Sequence, residues 1–578
     1  MFRTASIVLV LFFVTGAASA VLGATYTVTN IADTSDGVCD NNCSLREAIA
    51  AANATPDNDT IVFSALFNFN QTITLGGTEI VFANNGSLTI NGTGAERLTI
   101  SGNGASRIFA SGANVVVNIN NMRFTGGNGV GATNTGRGGA IYNVGGTMVI
   151  SNSVITGNSA ANGGALNNAA SASPSVPANL TLINCSVTNN SSTSSGSAMQ
   201  NFSTSFLHLR NTTVSGNTTT ATGIAGAIQA NGTVTITNST FSGNAAAAGT
   251  GGGVYFNGTS LNMTNVTIVG NSSGIGGGGL HRTGTNPLVI RNSIIANNAG
   301  AAGSLDAFGP VNSEGNNIIG NTTGSTGWVM SDLQNVNPVL SPLGNYGGMG
   351  MTHAVLTGSP ALDAGQNCVT DLSCSANNPP VAVAADQRGA ARPFGASVDI
   401  GAFESSAAYV ADLVMVRKDL AVNHVLTSNA GAFTYSHVTG MLPPNMALST
   451  VGGAVSISGS PNQTGIFNFG VNITNGTNSA LVNYRQIVVR NSPITSVGGR
   501  IMRADGHGIK GVILTLIDSN GNQRRTLTGS FGNYQFDSVT VGGIYQIVIG
   551  TKLHVFTPNP ASFLVIDQTS DLNYTAQP

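Results

Sequence analysis

Charged residues are scarce in this chain of 578 residues, where Lys, Arg, Asp and Glu together make up 8% of the sequence. Ordinary globular proteins contain about 25%. The formal net charge of −2 gives the chain no electrostatic reason to bind nucleic acid or anionic lipid, and we expect neither as a partner. Hydrophobic residues make up 41% and occur in short alternating runs, which argues against disorder and favours an all-β fold with many short strands.

Carboxylates are absent from a long central stretch. No Asp or Glu occurs between Glu96 and Asp306, and no lysine precedes Lys418. Glycoside hydrolysis needs paired acids, and uronate elimination needs acids that hold calcium beside a base. Asparagine can orient a sugar but cannot take up a proton at neutral pH. We therefore predict that the protein is not an enzyme and has no catalytic residues. A polysaccharide lyase or glycoside hydrolase remains the alternative.

Long hydrophobic runs are absent after the first residues. Arg3, the apolar run from Ser6 to Val14 and the small residues Ala18-Ser19-Ala20 together have the pattern of a secretory signal peptide. We assign residues 1–24 to this peptide, with cleavage after Ala20 or Ala24. The mature chain is expected to lack a membrane span and to be secreted or displayed on the surface of a bacterial cell.

Cysteine is also rare, with five residues in the chain. In an exported protein, cysteines that are close in sequence can form disulfides, and we expect Cys39 to pair with Cys43 and Cys368 with Cys374. Cys185 is left over and is expected to be a buried free thiol. Neither pair has a second cysteine or histidine cluster nearby, so we predict no zinc site and no cofactor.

A repeat with a fixed step dominates the chain. Six segments share one pattern: MVISNSVITGN, LTLINCSVTNN, LHLRNTTVSGN, VTITNSTFSGN, LNMTNVTIVGN and LVIRNSIIANN. Their first shared asparagines are Asn152, Asn184, Asn211, Asn238, Asn265 and Asn292. A unit of this size cannot bury its own apolar face, but stacked copies can. We predict a parallel β-helix over residues 61–335, in which these asparagines stack into an amide ladder.

The strongest helix signal precedes the repeats, in CSLREAIAAAN. Ser44 followed by Glu47 is a capping box, which predicts a helix that begins there and ends before Pro56. The open end of a solenoid exposes strand edges that invite aggregation. We therefore assign residues 25–60 to an N-terminal cap, with this amphipathic helix as the lid of the first coil.

Several short sequence motifs resemble those of known protein families. CSLREAI and NDTIVF resemble the CSLREA-type module at the head of exported bacterial β-helix proteins. GGAI and FSGN are similar to repeats of the chlamydial polymorphic outer membrane proteins. PVLSPLGNYGGMGMTHAVLTGSPALDAG, ADQRGAARPF and VDIGAFE resemble the closing module of the choice-of-anchor Q family, over residues 336–404. The resemblance implies a right-handed parallel β-helix that is exported and surface-associated, with no established enzymatic role.

The composition changes after Glu404. GMLPPNMALSTVGGAVSISGSPNQTGIFNFGVNITNG resembles the immunoglobulin-like modules of bacterial surface proteins, over residues 408–491. GGRIMRADGHGIKGVILTLIDSNGNQRRTLTGSFGNYQFDSVTVGGIYQIVI resembles the carboxypeptidase regulatory-like module, over residues 494–578. Alternating strands separated by Asp-Gly and Asn-Gly turns favour two small β-sandwiches. No histidine begins a zinc-protease motif, so we expect no peptidase chemistry.

Few ionisable groups remain on the coils. Among them are Arg123, Arg137, Arg210, Arg282, Arg291, His208 and His281. Either they line a face for acidic glycans or, as we expect, they are solvated surface positions. Tyr142 and Tyr255 lie where they could supply a binding cluster, whereas Phe256 is expected to pack inward. The acids Asp33, Asp36, Asp40, Asp57 and Asp59 lack the full spacing of a calcium loop, so we predict no metal site.

The sequence thus predicts a capped right-handed parallel β-helix followed by two β-sandwiches. We expect a monomer that acts in adhesion or extracellular binding, to a carbohydrate or to a host or neighbouring surface. A passive spacer of the cell envelope or matrix is a further alternative.

Overall fold

A computed structural model describes residues 23–578 except 84–85, 133, 225, 302–304, 520, 552 and 578. Most of the predicted signal peptide lies outside the described residues. Within them, Leu45–Asn53 forms the one α-helix, and Ala65–Asn68 and Asn367–Val369 form 3₁₀ turns. A parallel β-solenoid of about nine turns is followed by antiparallel sheets, which confirms the predicted all-β fold.

Three long parallel sheets run along the solenoid, and successive coils add strands to each. Sheet A contains Thr25–Val28, Asp59–Phe63, Ser87–Asn91, Val116–Asn120, Thr147–Ser151, Asn179–Ile183, Phe206–Arg210, Thr233–Thr237, Ser260–Thr264, Leu288–Arg291 and Asn312–Ser313. Sheet B contains Gln71–Thr74, Leu98–Ser101, Arg123–Thr125, Val154–Thr156, Ser186–Thr188, Thr213–Ser215, Thr240–Ser242, Thr267–Val269, Ile294–Ala296, Ile318–Ile319 and Leu333–Gln334. Sheet C contains Ile80–Phe82, Phe109–Ser111, Ile141–Val144, Leu166–Ala169, Met199–Asn201, Ile228–Ala230, Val254–Phe256, Leu280–Arg282, Ala307–Pro310 and Ser325–Thr326.

The core of the solenoid is built from stacked inward positions. In sheet A, Leu180 pairs with Leu207 and Leu207 with Val234, and all three side chains are buried. Each aliphatic side chain buried in this way contributes about 1.5–3 kcal/mol. The period-2 alternation therefore places one column of apolar side chains inside each sheet and leaves the polar residues outside.

A fourth, narrower sheet D covers part of the route from sheet B back to sheet C. It contains Ser159–Asn162, Ser191–Ser195, Thr218–Thr219, Ala245–Ala246 and Ser272–Ser273, and Gly223–Ile224 pairs separately with Gly249–Thr250. The chain then turns into sheet C at Gly-Gly pairs such as Gly163-Gly164. Gly163 has φ +66°, and a Cβ there would lie 2.1 Å from the Leu166 carbonyl oxygen. A Cβ on Gly164 would lie 2.2 Å from the Ser197 carbonyl oxygen in the next coil.

The helix Leu45–Asn53 lies over the first coil. Ser44 Oγ accepts a hydrogen bond from Glu47 N at 3.1 Å, and Glu47 Oε2 accepts one from Ser44 N at 2.8 Å, which forms the capping box. Leu45 and Ile49 pack into the same core as Val28 of the first strand. Cys39 and Cys43 form a disulfide just before the helix.

The segment 336–404 lies along the outer face of sheet B rather than only at its end. It carries an antiparallel hairpin of Leu340–Gly344 and Thr352–Val355, and a disulfide between Cys368 and Cys374. Thr213 Oγ1 donates to Met351 O at 2.6 Å, and Thr267 Oγ1 accepts from Ala402 N at 2.9 Å. The segment therefore spans several coils and fixes them to one another. We call it the closing segment.

Two antiparallel modules follow. The first, which we call the immunoglobulin-like module after its sequence resemblance alone, has one sheet of Val410–Asp412, Val416–Arg417, Thr434–Gly440, Gly465–Thr474 and Ser479–Val489, and another of Val422–Thr427, Met446–Val451 and Ala454–Gly459. The last module has sheets of Ile494–Met502, Asn533–Thr540 and Tyr574–Thr575, and of Ile513–Asp518, Gln523–Leu527, Ile544–Gly550 and Ala561–Leu564.

The two C-terminal modules fold back along the solenoid. Tyr484 of the immunoglobulin-like module shares a core with Tyr346 of the closing segment and with Ile294 of sheet B. The Arg417 guanidinium lies 4.9 Å from the centre of the Phe69 ring, in the first coils. None of the described helices is long and apolar enough to cross a lipid bilayer.

Replacing Gly163 by Ala should destabilise the solenoid more than replacing Gly104. Both glycines have φ +66°, but a Cβ at Gly104 would meet nothing within 4 Å. The left-handed backbone alone should cost Gly104→Ala about 1–2 kcal/mol. The clash with Leu166 O should add at least about 2 kcal/mol for Gly163→Ala. Urea unfolding of both variants measures the difference, and equal losses would contradict the predicted clash.

Candidate functional site

The repeated asparagines lie at the corner where the chain passes from sheet A to sheet B. Asn152, Asn184, Asn211, Asn238, Asn265 and Asn292 have φ between +49° and +55°. Asparagine adopts this left-handed conformation more readily than most residues because its short amide can bond locally. The residue type therefore follows from the turn, and the side chains form a column along the rod.

The amides in this column are joined in two runs. Asn184 Nδ2 donates to Asn152 Oδ1 at 3.2 Å, Asn211 to Asn184 at 3.0 Å, and Asn238 to Asn211 at 2.8 Å. Asn292 donates to Asn265 at 3.4 Å. Between the runs, Asn265 instead donates to Asp399 O and Gly401 O of the closing segment.

The column extends beyond the six repeated positions. Sheet A pairs Asn91 with Asn120, so Gly92 stacks beside the corner residue Asn121. The corner of this coil is five residues longer than in the later coils, and Arg97 ends it, just before the sheet B strand Leu98–Ser101.

The closing segment covers half of this column. Asn238, Asn265 and Asn292 are at most 2% exposed, and Asn238 Nδ2 donates to Ala385 O at 2.9 Å. Asn152 and Asn184 remain partly exposed. The solenoid therefore presents an open half-column of fixed amides, which the closing segment ends on one side.

The other end of the open half-column leads into a cleft of about 660 Å³. Three parts of the chain line the cleft: the first coils, the immunoglobulin-like module and the last module. Phe69 is 37% exposed there, and the Arg417 guanidinium lies over its ring. Arg417 Nη1 donates to Asn491 O at 3.0 Å. Burial, and next the neighbouring Arg97, lower the pKa of Arg417.

Two carboxylates also line the cleft. Glu96 pairs with Arg123 at 3.0 Å, and Asp518 accepts bonds from the backbone and side chain of Asn522 at 2.9 Å each. Both acids therefore already hold structural contacts in the described part of the chain.

A second amide ladder runs inside the solenoid, where sequence reasoning did not place one. Asn158, Asn190, Asn217, Asn244, Asn271 and Asn298 form it, and all are buried. Asn217 Oδ1 accepts hydrogen bonds from both N and Nδ2 of Asn190, at 2.9 and 3.0 Å. The same pair of hydrogen bonds recurs along the ladder. Asp306 ends the ladder by accepting from Asn298 N and Nδ2. The last asparagine of each repeated word was the available signal.

Asn217→Ala should therefore cost far more stability than Asn184→Gly. The first change leaves Asn190 N without its buried acceptor and removes one of the two bonds of Asn190 Nδ2 and of Asn244 Oδ1, and each unsatisfied buried group costs about 1–3 kcal/mol. The second keeps the left-handed backbone and removes partly exposed bonds worth about 1 kcal/mol. Urea unfolding of both variants compares them. Similar losses would show that the inner ladder does not dominate.

The structure corrects several expectations for the ionisable groups. Arg282, Arg291 and His281 are buried rather than solvated. Arg282 donates to Pro310 O, Arg291 pairs with Glu314, and the His281 ring stacks 4.6 Å from Phe308.

The other coil groups are distributed over separate places. Arg137 lies 4.5 Å from the Phe202 ring, and Arg210 and His208 border a slot of about 250 Å³ beside Pro380. Tyr142 and Tyr255 are buried, so they form no open binding cluster, and Phe256 packs inward.

The acids near the N-terminus serve structural contacts. Asp33 pairs with Arg46 at 2.8 Å, and Asp59 Oδ1 accepts from Ala24 N at 2.8 Å. The residues that the structure describes contain no group of three His, Cys, Asp or Glu side chains placed to hold a metal ion. Cys185 is a buried free thiol whose pKa burial raises to about 12.

A polar cluster joins the closing segment to sheet B. Ser242 Oγ lies 2.9 Å from His353 Nε2, and His353 Nδ1 lies 2.8 Å from Ser341 O. Because a carbonyl only accepts, Nδ1–H donates to it and Nε2 accepts from the serine. A nucleophile beside a base has this geometry. However, Ser242 and His353 are only 5% and 6% exposed, which closes the pair to a substrate.

A second cluster holds the closing segment together internally. Arg388 pairs with Asp386 at 2.8 Å, and Arg392 lies 3.4 Å from Glu404. With Asp399, three buried carboxylates face two guanidiniums. Burial raises the pKa of Glu404 to about 7, against the attraction of Arg392. Burial lowers the pKa of His353 to about 4.

These two groups should make stability depend on pH in opposite directions. His353 is neutral when folded, so its contribution is present above pH 6.5 and is lost as the pH falls towards about 4. Glu404 retains its proton when folded, so its contribution is present below pH 4.5 and is lost as the pH rises towards about 7. Each contribution amounts to about 3 kcal/mol.

His353→Gln should therefore be most destabilising above pH 6.5 and least at pH 4, whereas Glu404→Gln should be most destabilising near pH 4.5 and least above pH 7. Urea unfolding from pH 4 to pH 8 measures both penalties relative to the natural chain. Penalties that do not vary with pH would contradict the assigned protonation states.

Comparisons with known proteins add no family. No family model and no curated protein matches the chain. Among solved structures, the match to BcpA, the major pilin subunit of Bacillus cereus, has 12% identity and a TM-score of 0.13, and covers 27% of this chain and 56% of that one. The match to the Bacillus anthracis TIE protein has 10% identity and a TM-score of 0.13, and covers 25% and 34%. The match to the endo-fucoidan hydrolase MfFcnA4 has 10% identity and a TM-score of 0.13, and covers 30% and 31%.

The chain spans about a third to just over half of the length of these structures. Such low TM-scores carry no argument about fold or function. The functional conclusion therefore rests on the column and the cleft.

Proposed function

We propose that the protein is a secreted or cell-surface binding protein that holds a linear polysaccharide along the open half of the asparagine column. The observation that carries this proposal is a row of fixed, partly exposed amides that ends in a cleft. Coils stack about 4.8 Å apart, so successive amides are spaced on the scale of one sugar unit. A polymer laid along the rod can therefore repeat its contacts from coil to coil.

The chemistry of the column suits hydroxyl groups. A carboxamide carries donors and an acceptor with spare lone pairs, which can bond both the hydrogen and the oxygen of a sugar hydroxyl. Asn184 and Asn211 are held by their ladder bonds, so little side-chain freedom is lost on binding. The exposed face of Phe69 offers an apolar platform at the end of the column.

Binding fits the site better than hydrolysis does. Glu96 and Asp518 are the acids among the residues that line the cleft, and each is engaged by a structural partner. Hydrolysis would need one acid poised to donate a proton and another free to act as nucleophile or base. The open half-column itself contributes no carboxylate.

A glycan array followed by affinity electrophoresis tests the proposal. The natural chain should be retarded by at least one linear polysaccharide without cleaving it. The triple variant Asn152→Gly, Asn184→Gly, Asn211→Gly should lose at least about tenfold in affinity, because each lost amide removes roughly 0.5–1.5 kcal/mol. Glycine keeps the left-handed backbone at each position.

Asn189→Gly is the matched control. Asn189 is also left-handed, with φ +54°, and is exposed, but it lies at the far end of its sheet B strand from the column. Its substitution should leave retention unchanged. Retention of no glycan, or an equal loss in the control and the triple variant, would overturn the proposal, and release of shorter sugars would establish the enzymatic alternative.

A further inference from the structure

The cleft at the end of the column contains two guanidiniums that form no ion pair with a carboxylate of the described residues. Arg97 comes from the first coils and Arg417 from the immunoglobulin-like module, and both line the cleft. Among the described residues, neither arginine forms an ion pair, because the two acids of the cleft, Glu96 and Asp518, contact Arg123 and Asn522 instead. Arg417 donates only to backbone carbonyls, and Arg97 makes no side-chain hydrogen bond with a described residue.

Two like charges that lie close together without a counter-charge repel each other, and burial by the surrounding residues strengthens this repulsion. The Arg417 guanidinium lies against the Phe69 ring and is partly buried. In such a site, less water is available to screen the charges than on an open surface. The remaining donors of the two guanidiniums point to an anion, because the planar guanidinium pairs with carboxylate and sulfate through two parallel bonds.

We propose that Arg97 and Arg417 bind the anionic group, carboxylate or sulfate, of an acidic polysaccharide whose chain runs on along the asparagine column. This inference rests on the proposed function and specifies its ligand class. Arg97 ends the corner that begins at Gly92, the residue that stacks on Asn121 of the column, so an anion bound there lies at the end of the row of amides. The Phe69 ring packs against the Arg417 guanidinium that carries the charge.

The test measures binding of the full chain to three oligosaccharides by isothermal titration calorimetry. Oligogalacturonate carries carboxylates, sulfated dextran oligomers carry sulfates, and unmodified dextran oligomers are neutral. At least one acidic ligand should bind at least tenfold more tightly than the neutral one, and salt should weaken that binding. The arm that binds more tightly identifies the anionic group.

Arg97→Gln and Arg417→Gln should each lower affinity for the acidic ligand at least tenfold and leave neutral binding unchanged. Arg525→Gln is the control, because Arg525 is exposed on the last module away from the cleft. If Arg417→Gln weakens the contact between its module and the first coils, Arg97→Gln still tests the anion site, because Arg97 lies on the coils themselves. Thermal unfolding of each variant checks this.

Each result decides one of the two proposals. Arginine variants that match the Arg525→Gln control, or equal binding of neutral and acidic ligands, would overturn the anion site and leave the polysaccharide column in place. Binding of none of the three ligands, together with no retention of any glycan on the array, would overturn both.

Discussion

The buried ladder of carboxamides is the interaction on which the rest of the structure depends. Each carboxamide oxygen accepts two bonds from the asparagine of the preceding coil, one from its backbone and one from its side chain. The coils from Asn190 onward step by 27 residues, whereas the coil from Asn158 to Asn190 makes the same pair of bonds over 32 residues, because its extra residues loop out between Leu166–Ala169 and Asn179–Ile183. The ladder therefore fixes the register of the strands beside it rather than the length of every loop, and a shift of these strands would break both bonds in a site that water does not reach.

The closing segment converts this uniform rod into one with a site. It covers the corner asparagines of the later coils and bonds to them, whereas those of the earlier coils stay open. The fold-back of the C-terminal modules then brings Arg417 to Phe69 and closes a cleft at the other end of the open stretch. A long repetitive surface thus acquires two boundaries, and the boundaries define where a polymer would lie.

The fold class could be predicted from the sequence because the repeat fixes both strand alternation and coil length. The capping box at Ser44 and Glu47 was likewise local and readable. The inner-ladder asparagine is the last residue of each repeated segment. The sequence alone does not distinguish it from the corner asparagine, because which of them points inward depends on the geometry of the coil. The burial of Tyr142 and Tyr255 was not predictable, because the Arg107 guanidinium over the Tyr142 ring and the His281 ring stacked on Tyr255 both come from neighbouring coils. The cleft depends on residues 69 and 417, which no local pattern connects.

Deletion of one whole coil tests the register most directly. Removing residues 191–217 joins Asn190 to Thr218 and leaves the inner ladder continuous. Removing 192–217 instead keeps Ser191 between them, which shifts the following strand by one residue relative to the ladder. The first protein should unfold in one cooperative transition with the β circular-dichroism spectrum of the natural chain, and the second should be markedly less stable. Equal stability of the two deletions would show that the amide ladder does not fix the register of the strand that follows it.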